Sequence, residues 1–189
     1  MIIRNLHFSF ADKSVFNGLE LEIPDSQITA IMATSGKGKT TLLRLIAGLL
    51  EPSDGEIDLG GKSVGIMFQE PRLFAQQTVL QNVMVVIKQK HGKKERAMEL
   101  LNEFGVADSA DKYPDELSGG MAKRVSLARA IAYNPDILLL DEPFSALDEQ
   151  TKLSVIAQTK ALVAGKTVIL VTHNPAEANL FADHTVTLS

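Results

Sequence analysis

A cation, a hydroxyl and several small residues stand together at residues 33–40, A-T-S-G-K-G-K-T. That spacing suits the capture of a triphosphate, which needs many donors at close range. Gly36 and Gly38 let backbone N–H groups approach phosphate oxygens. Lys39 places a cation on the β- and γ-phosphates, and the Thr40 hydroxyl can ligate Mg2+. Ser35 and Thr41 belong to the same candidate triphosphate-binding loop. Lys37 either touches phosphate or is a solvated side chain. Ala33 occupies the position where this pattern usually has its first glycine. If its φ is positive, alanine costs on the order of 1 kcal/mol there.

A second constellation lies at residues 137–142, I-L-L-L-D-E. Four apolar residues leading into two carboxylates describe a buried strand that delivers charge at its C-terminal end, where ligands of parallel α/β sheets bind. Asp141 would then help to hold Mg2+, and Glu142 could orient and deprotonate an attacking water. Taken alone, the pair is read equally well as a strand end followed by an acidic helix cap. The triphosphate loop upstream favours the functional reading.

The elements that must position these residues follow from pattern. Residues 28–32 form a short apolar run before the Gly-rich turn, and 40–50 read as a helix after it. Residues 19–23 alternate apolar and acidic, as in a half-buried strand, and 56–59 and 64–68 also read as strands. Residues 78–113 favour helix, with Gly92 and Gly105 as breaks. A helix over 120–133 is closed by Asn134-Pro135. Residues 137–140 and 167–171 are continuous apolar runs, as expected of strands buried on both faces. Helices over 149–164 and after Pro175 complete the pattern. Strands alternating with helices predict an α/β fold with a mainly parallel sheet, and the close-set early strands predict an antiparallel sheet beside it.

Composition narrows the function. The chain of 189 residues is long enough for one domain with a real core, burying about 70% of its unfolded surface. Its 19 Lys+Arg against 23 Asp+Glu give a formal charge of -4, and it has no Trp, so nucleic acid is not an expected partner. It has no Cys, which excludes disulfides, thiolate zinc sites and cysteine nucleophiles. No run approaches the roughly 18 apolar residues of a spanning helix. Met1-Ile2-Ile3-Arg4 lacks the layout of a signal peptide. A cytoplasmic protein is expected, one that works at a membrane only through partners. The basic stretch 88–96, with five Lys/Arg in nine residues, is read first as solvated and second as a contact with lipid headgroups or a membrane subunit.

A third motif points to a family. Residues 117–121 read L-S-G-G-M and open a helix. The segment resembles the signature of ABC ATPases, usually quoted with Gln where Met121 stands. Ser118, Gly119, Gly120 and a helix N-terminus make a second anion site. Other segments resemble the family in the same order. Gln69, in I-M-F-Q-E, is similar to the Q-loop glutamine, a candidate for Mg2+ and for catalysis. Residues 145–148, S-A-L-D, resemble the D-loop, with Asp148 at the nucleotide. His173, in V-T-H-N, is similar to the switch histidine at the γ-phosphate. Phe10, 29 residues before Lys39, is either the adenine-stacking aromatic or a core phenylalanine.

The resemblance covers nearly the whole chain, from Phe10 to Asp183. It implies a P-loop NTPase core with an antiparallel β subdomain and a helical signature subdomain over about 70–133. It also implies a transporter subunit that binds and hydrolyses ATP with Mg2+, peripheral on the cytoplasmic face of the cell membrane. The implied partners are a second copy in the ATP-bound state (or a paralogue), transmembrane permease subunits and a solute-binding protein. Gln69-Glu70-Pro71-Arg72-Leu73 and the LSGGM form are similar to the nitrate, sulfonate and taurine importers. Export, or a soluble ATPase not coupled to transport, is the alternative. Only 47 residues separate Gln69 from Leu117, too few for the coiled coil of DNA-repair members. Lys123 stands where Gln is common, and Asn174 where Asp is. The chain stops at Ser189, so no C-terminal regulatory domain is expected.

Overall fold

The computed structural model describes residues 1–11, 13–32, 38–89 and 91–188. Along the chain these form β1 (Ile2–Phe10), β2 (Lys13–Glu22), β3 (Ile28–Met32), α1 (Lys39–Ile46), β4 (Asp54–Asp58), β5 (Val64–Met67), α2 (Val79–Met84), α3 (Lys93–Glu103), α4 (Gly119–Ala132), β6 (Ile137–Asp141), α5 (Glu149–Leu162), β7 (Thr167–Val171), α6 (Pro175–Phe181) and β8 (His184–Thr187). Two compact units result. One comprises Met1–Ile66, Asp136–Asp141 and Gly165–Ser189, the other Met67–Pro135 and Glu142–Ala164.

The first unit carries both sheets. One is antiparallel, in the order β2-β1-β4, and the other has five strands in the order β5-β6-β7-β3-β8. Pairings β6–β7, β3–β7 and β3–β8 are parallel. Strands β6 and β7 are buried at every residue, and β3 at every residue but its last, because their side chains are apolar on both faces. Helix α1 turns Leu42, Leu43, Leu45 and Ile46 inward. These meet Ile31, Leu139 and Ile169 of the parallel sheet and Ile3 and Leu6 of β1 in one core.

The second unit is helical. Helix α2 opens with a reciprocal capping box between Thr78 and Gln81. Fully buried Asn82 in α2 donates to the carbonyls of Phe74, Gln77 and Thr78 and accepts from Phe74 N. One side chain thus fixes the irregular segment leading into the helix. Helix α4 buries Val125, Leu127 and Ala128 and packs against α2 and α3.

Several expectations are refined. The helical stretch 78–113 is two α-helices and a 3-10 turn (Ala107–Ser109), with Gly92 as the left-handed N-cap of α3. The strand expected at 19–23 is the end of a ten-residue strand. Strands β1 and β8 were not anticipated. In β1, Asn5 adopts φ 46° and register shifts interrupt its pairing with β2, so burial does not simply alternate along it. Strand β8 is mostly exposed and polar, and it is paired through β3. No helix among the described residues is long and apolar enough to cross a membrane.

Candidate active site

Candidate site residues occur in both units, and those of each unit are described in turn. In the first unit, Lys39 is the first residue of α1, and the N-cap Gly38 is left-handed at φ 80°. A Cβ at Gly38 would sit 2.5 Å from Val15 Cγ1 and 2.9 Å from Phe16 Cζ, so both conformation and space call for glycine. Thr40 Oγ1 donates to Asp141 Oδ2 at 2.8 Å across 101 residues of sequence. Asp141, only 2% exposed, ends β6. A hydroxyl donating to a carboxylate is a strong, charge-assisted contact. Residues 33–37 lie outside the described residues, and with them the candidates Ser35, Gly36 and Lys37. Thr41 is half-buried, one residue further along α1.

Register brings His173, the candidate switch histidine, to the same edge. Asp141 pairs with Val171, and Ile31 pairs with Val171 from the other side. His173 therefore leaves β7 two residues past the level of Asp141. It is exposed, between buried Thr172 and the helix cap Asn174. Thr172 Oγ1 donates to Glu177 Oε2 at 2.7 Å and accepts from Asn174 N at 3.1 Å. Asn174 Oδ1 accepts from Ala176 N at 2.9 Å. Buried Glu177 thus fixes the turn that presents His173. Nothing in the local pattern signals this role beyond an acidic residue in the first turn of α6. Asn174 fits its place as a helix cap. Phe10 is 47% exposed at the end of β1, edge-on to Phe8 at 4.8 Å, so it is not a core residue. An exposed ring over an aromatic neighbour remains a candidate stacking surface for a base.

In the second unit, Glu142 is 7% exposed and adopts φ 48°. Left-handed backbone at a non-glycine residue costs on the order of 1 kcal/mol, and such strain clusters at functional sites. Ser145 Oγ donates to the Glu142 carbonyl at 2.8 Å, which holds the turn. Ser118 is the N-cap of α4, its Oγ accepting from Met121 N at 3.2 Å. Gly119 and Gly120 are the first residues of that helix. A Cβ on Gly120 would press to 3.2 Å from the Ala146 carbonyl, so the signature turn lies against the segment leading to Asp148. Asp148 caps α5, its Oδ1 accepting from Thr151 N at 3.0 Å. That backbone donor, above all, lowers its pKa below the ordinary carboxylate value. Gln69 has an exposed side chain, and its backbone carbonyl accepts from Lys123 Nζ.

The match to the ABC transporter family model spans residues 16–145. The aliphatic sulfonates import ATP-binding protein SsuB 1 of Mesorhizobium japonicum is 43% identical over 190 residues, covering 95% of this chain and 72% of the relative. SsuB of Rhodopseudomonas palustris is 44% identical over 197 residues, covering 100% of this chain and 70% of its own. The sulfate/thiosulfate import ATP-binding protein CysA of Synechocystis is 38% identical, and the alignment covers 58% of it. Among solved structures, a dimeric post-hydrolysis ATP-binding cassette bound to ADP and Pi superposes with a TM-score of 0.87 at 28% identity, over 100% of this chain and 94% of that one.

Proposed function

The chain belongs to the ABC transporter family, and from that premise we propose that it is the ATP-binding, ATP-hydrolysing subunit of a solute importer, acting through separate permease subunits. The observation that carries the reading is the Thr40–Asp141 contact, which joins the phosphate-loop helix to the carboxylate at the end of β6. The cargo suggested by the similar sulfonate and sulfate import proteins is a small oxyanionic solute.

The residues divide the work. Lys39 and the amides at the start of α1 hold the triphosphate, where a cation and a helix N-terminus come together. Thr40 Oγ1 and Asp141 Oδ2 form a pair of hard oxygen donors of the kind that would hold Mg2+. Among the described residues no group of three His, Cys, Asp or Glu could hold a metal unaided, which fits an ion shared with phosphates. Bound there, Mg2+ would supply positive charge against the triphosphate. Glu142 takes the proton of the attacking water, Gln69 and His173 orient the reacting groups, and Phe10 stacks on the base. Ser118, Gly119, Gly120 and Asp148 act on the nucleotide held by a second copy. The chain itself works peripherally on the cytoplasmic face, through membrane subunits to which a solute-binding protein delivers cargo.

Calorimetry tests this directly. The purified chain takes up MgATP, and Lys39→Ala does not. Absence of heat with the unsubstituted chain overturns the reading.

A further inference from the structure

The candidate glutamine loop is irregular, so its backbone carbonyls have no ladder partners and must find others. Helix α4 supplies them from one stripe. Lys123, Ser126 and Arg129 recur at intervals of three, which places neighbouring rungs on adjoining parts of the helix surface. Lys123 Nζ donates to the Gln69 carbonyl. Ser126 Oγ donates to the Pro71 carbonyl at 3.0 Å. Arg129 donates through Nη2 to Pro71 O at 2.9 Å and through Nη1 to Arg72 O at 3.0 Å. Lys123 is only 3% exposed. An ammonium is costly to bury, and a methionine of similar length would fill the space without that cost. Packing alone therefore does not account for a lysine here. Arg129 is half-buried, and that burial pulls its guanidinium below its ordinary pKa.

We propose that this stripe of α4 is a clamp that holds the Gln69 loop to the signature helix, with Lys123 as its principal positioning residue. Ser118 caps the same helix five residues before Lys123. A displacement of the signature turn is carried along a rigid helix to the backbone of Gln69, whose side chain stays exposed for the nucleotide. The clamp rests on the reading of Gln69 and Ser118 given above, and it adds the route by which one acts on the other.

Lys123→Met removes the donor and keeps the length. Hydrogen exchange of the amides between residues 69 and 74 should accelerate about tenfold, in line with loss of a charge-assisted bond. Steady-state kcat should fall by a similar factor while KM for ATP stays within about twofold, because the triphosphate loop is untouched. Lys123→Gln, which keeps an N–H donor, should recover most of both. If Lys123→Met exchanges and turns over as the parent does, the clamp is wrong. If that variant does not fold, Ser126→Ala is read by the same two measurements, and parental values overturn the proposal. Failure of the parent to bind MgATP overturns both readings, whereas a binding, hydrolysing parent with an indifferent Lys123→Met overturns the clamp alone.

Discussion

At the residue scale, Glu142 is the sharpest case. A positioned base contributes about 10²–10⁴-fold, so Glu142→Gln should retain MgATP binding and lose that factor in turnover. Phosphate release together with nucleotide binding checks it, and an unchanged rate removes Glu142 as the base. Thr40→Val keeps the shape of the side chain and deletes the oxygen that reaches Asp141. It should raise the Mg2+ concentration needed for half-maximal turnover by about tenfold, the scale of one charge-assisted hydrogen bond, and Thr40→Ser should not. Lys39, Thr40 and Asp141 were legible in the sequence because each sits in a short local pattern with a chemical reason. Lys123 and Glu177 were not. Lys123 reaches a carbonyl 54 residues away, and no local spacing announces such a contact. Glu177 looks like any acidic residue in a first helical turn until its hydroxyl partner is seen.

Elements were read well where a strand or helix is regular and apolar on a definite face, as in β3, β6, β7 and α4. They were missed where pairing, not pattern, makes the strand. The bulged β1 and the polar β8 exist because neighbours offer them backbone partners. Asn82 shows how much one side chain can do for an element. Asn82→Ala deletes the side-chain donor shared by the carbonyls of Phe74, Gln77 and Thr78, of which Phe74 and Thr78 keep the backbone donors Gln77 N and Asn82 N, and should cost about 1–3 kcal/mol, seen as a lower denaturant midpoint at unchanged slope. The Asp148 cap gives α5 a pH dependence. Its pKa is lower folded than unfolded, so the ionised carboxylate contributes fully above the ordinary carboxylate value and less as pH falls through the folded one. Amides at the start of α5 should lose protection on acidification, and Asp148→Asn should flatten that response.

For the whole molecule, the decisive prediction concerns two copies. Lys39→Ala and Ser118→Ala should each be inactive alone. If a nucleotide is held between Lys39 of one copy and Ser118 of another, a mixed pair has one site with both defects and one site with neither. An equimolar mixture should therefore recover about a quarter of the parental rate, given random pairing and independent sites. A mixture as inactive as its components would place both residues at a nucleotide within one chain. Sequence could suggest this sharing only through two anion sites and one triphosphate loop.

The grip on residues 69–78 has an evolutionary corollary. Lys123, Ser126 and Arg129 bind carbonyls of that stretch, and Asn82 binds the main chain of Phe74, Gln77 and Thr78. Such a hold is indifferent to which side chains the stretch displays. The exposed side chains of Glu70 and Gln76 can thus be exchanged without rebuilding the scaffold beneath them.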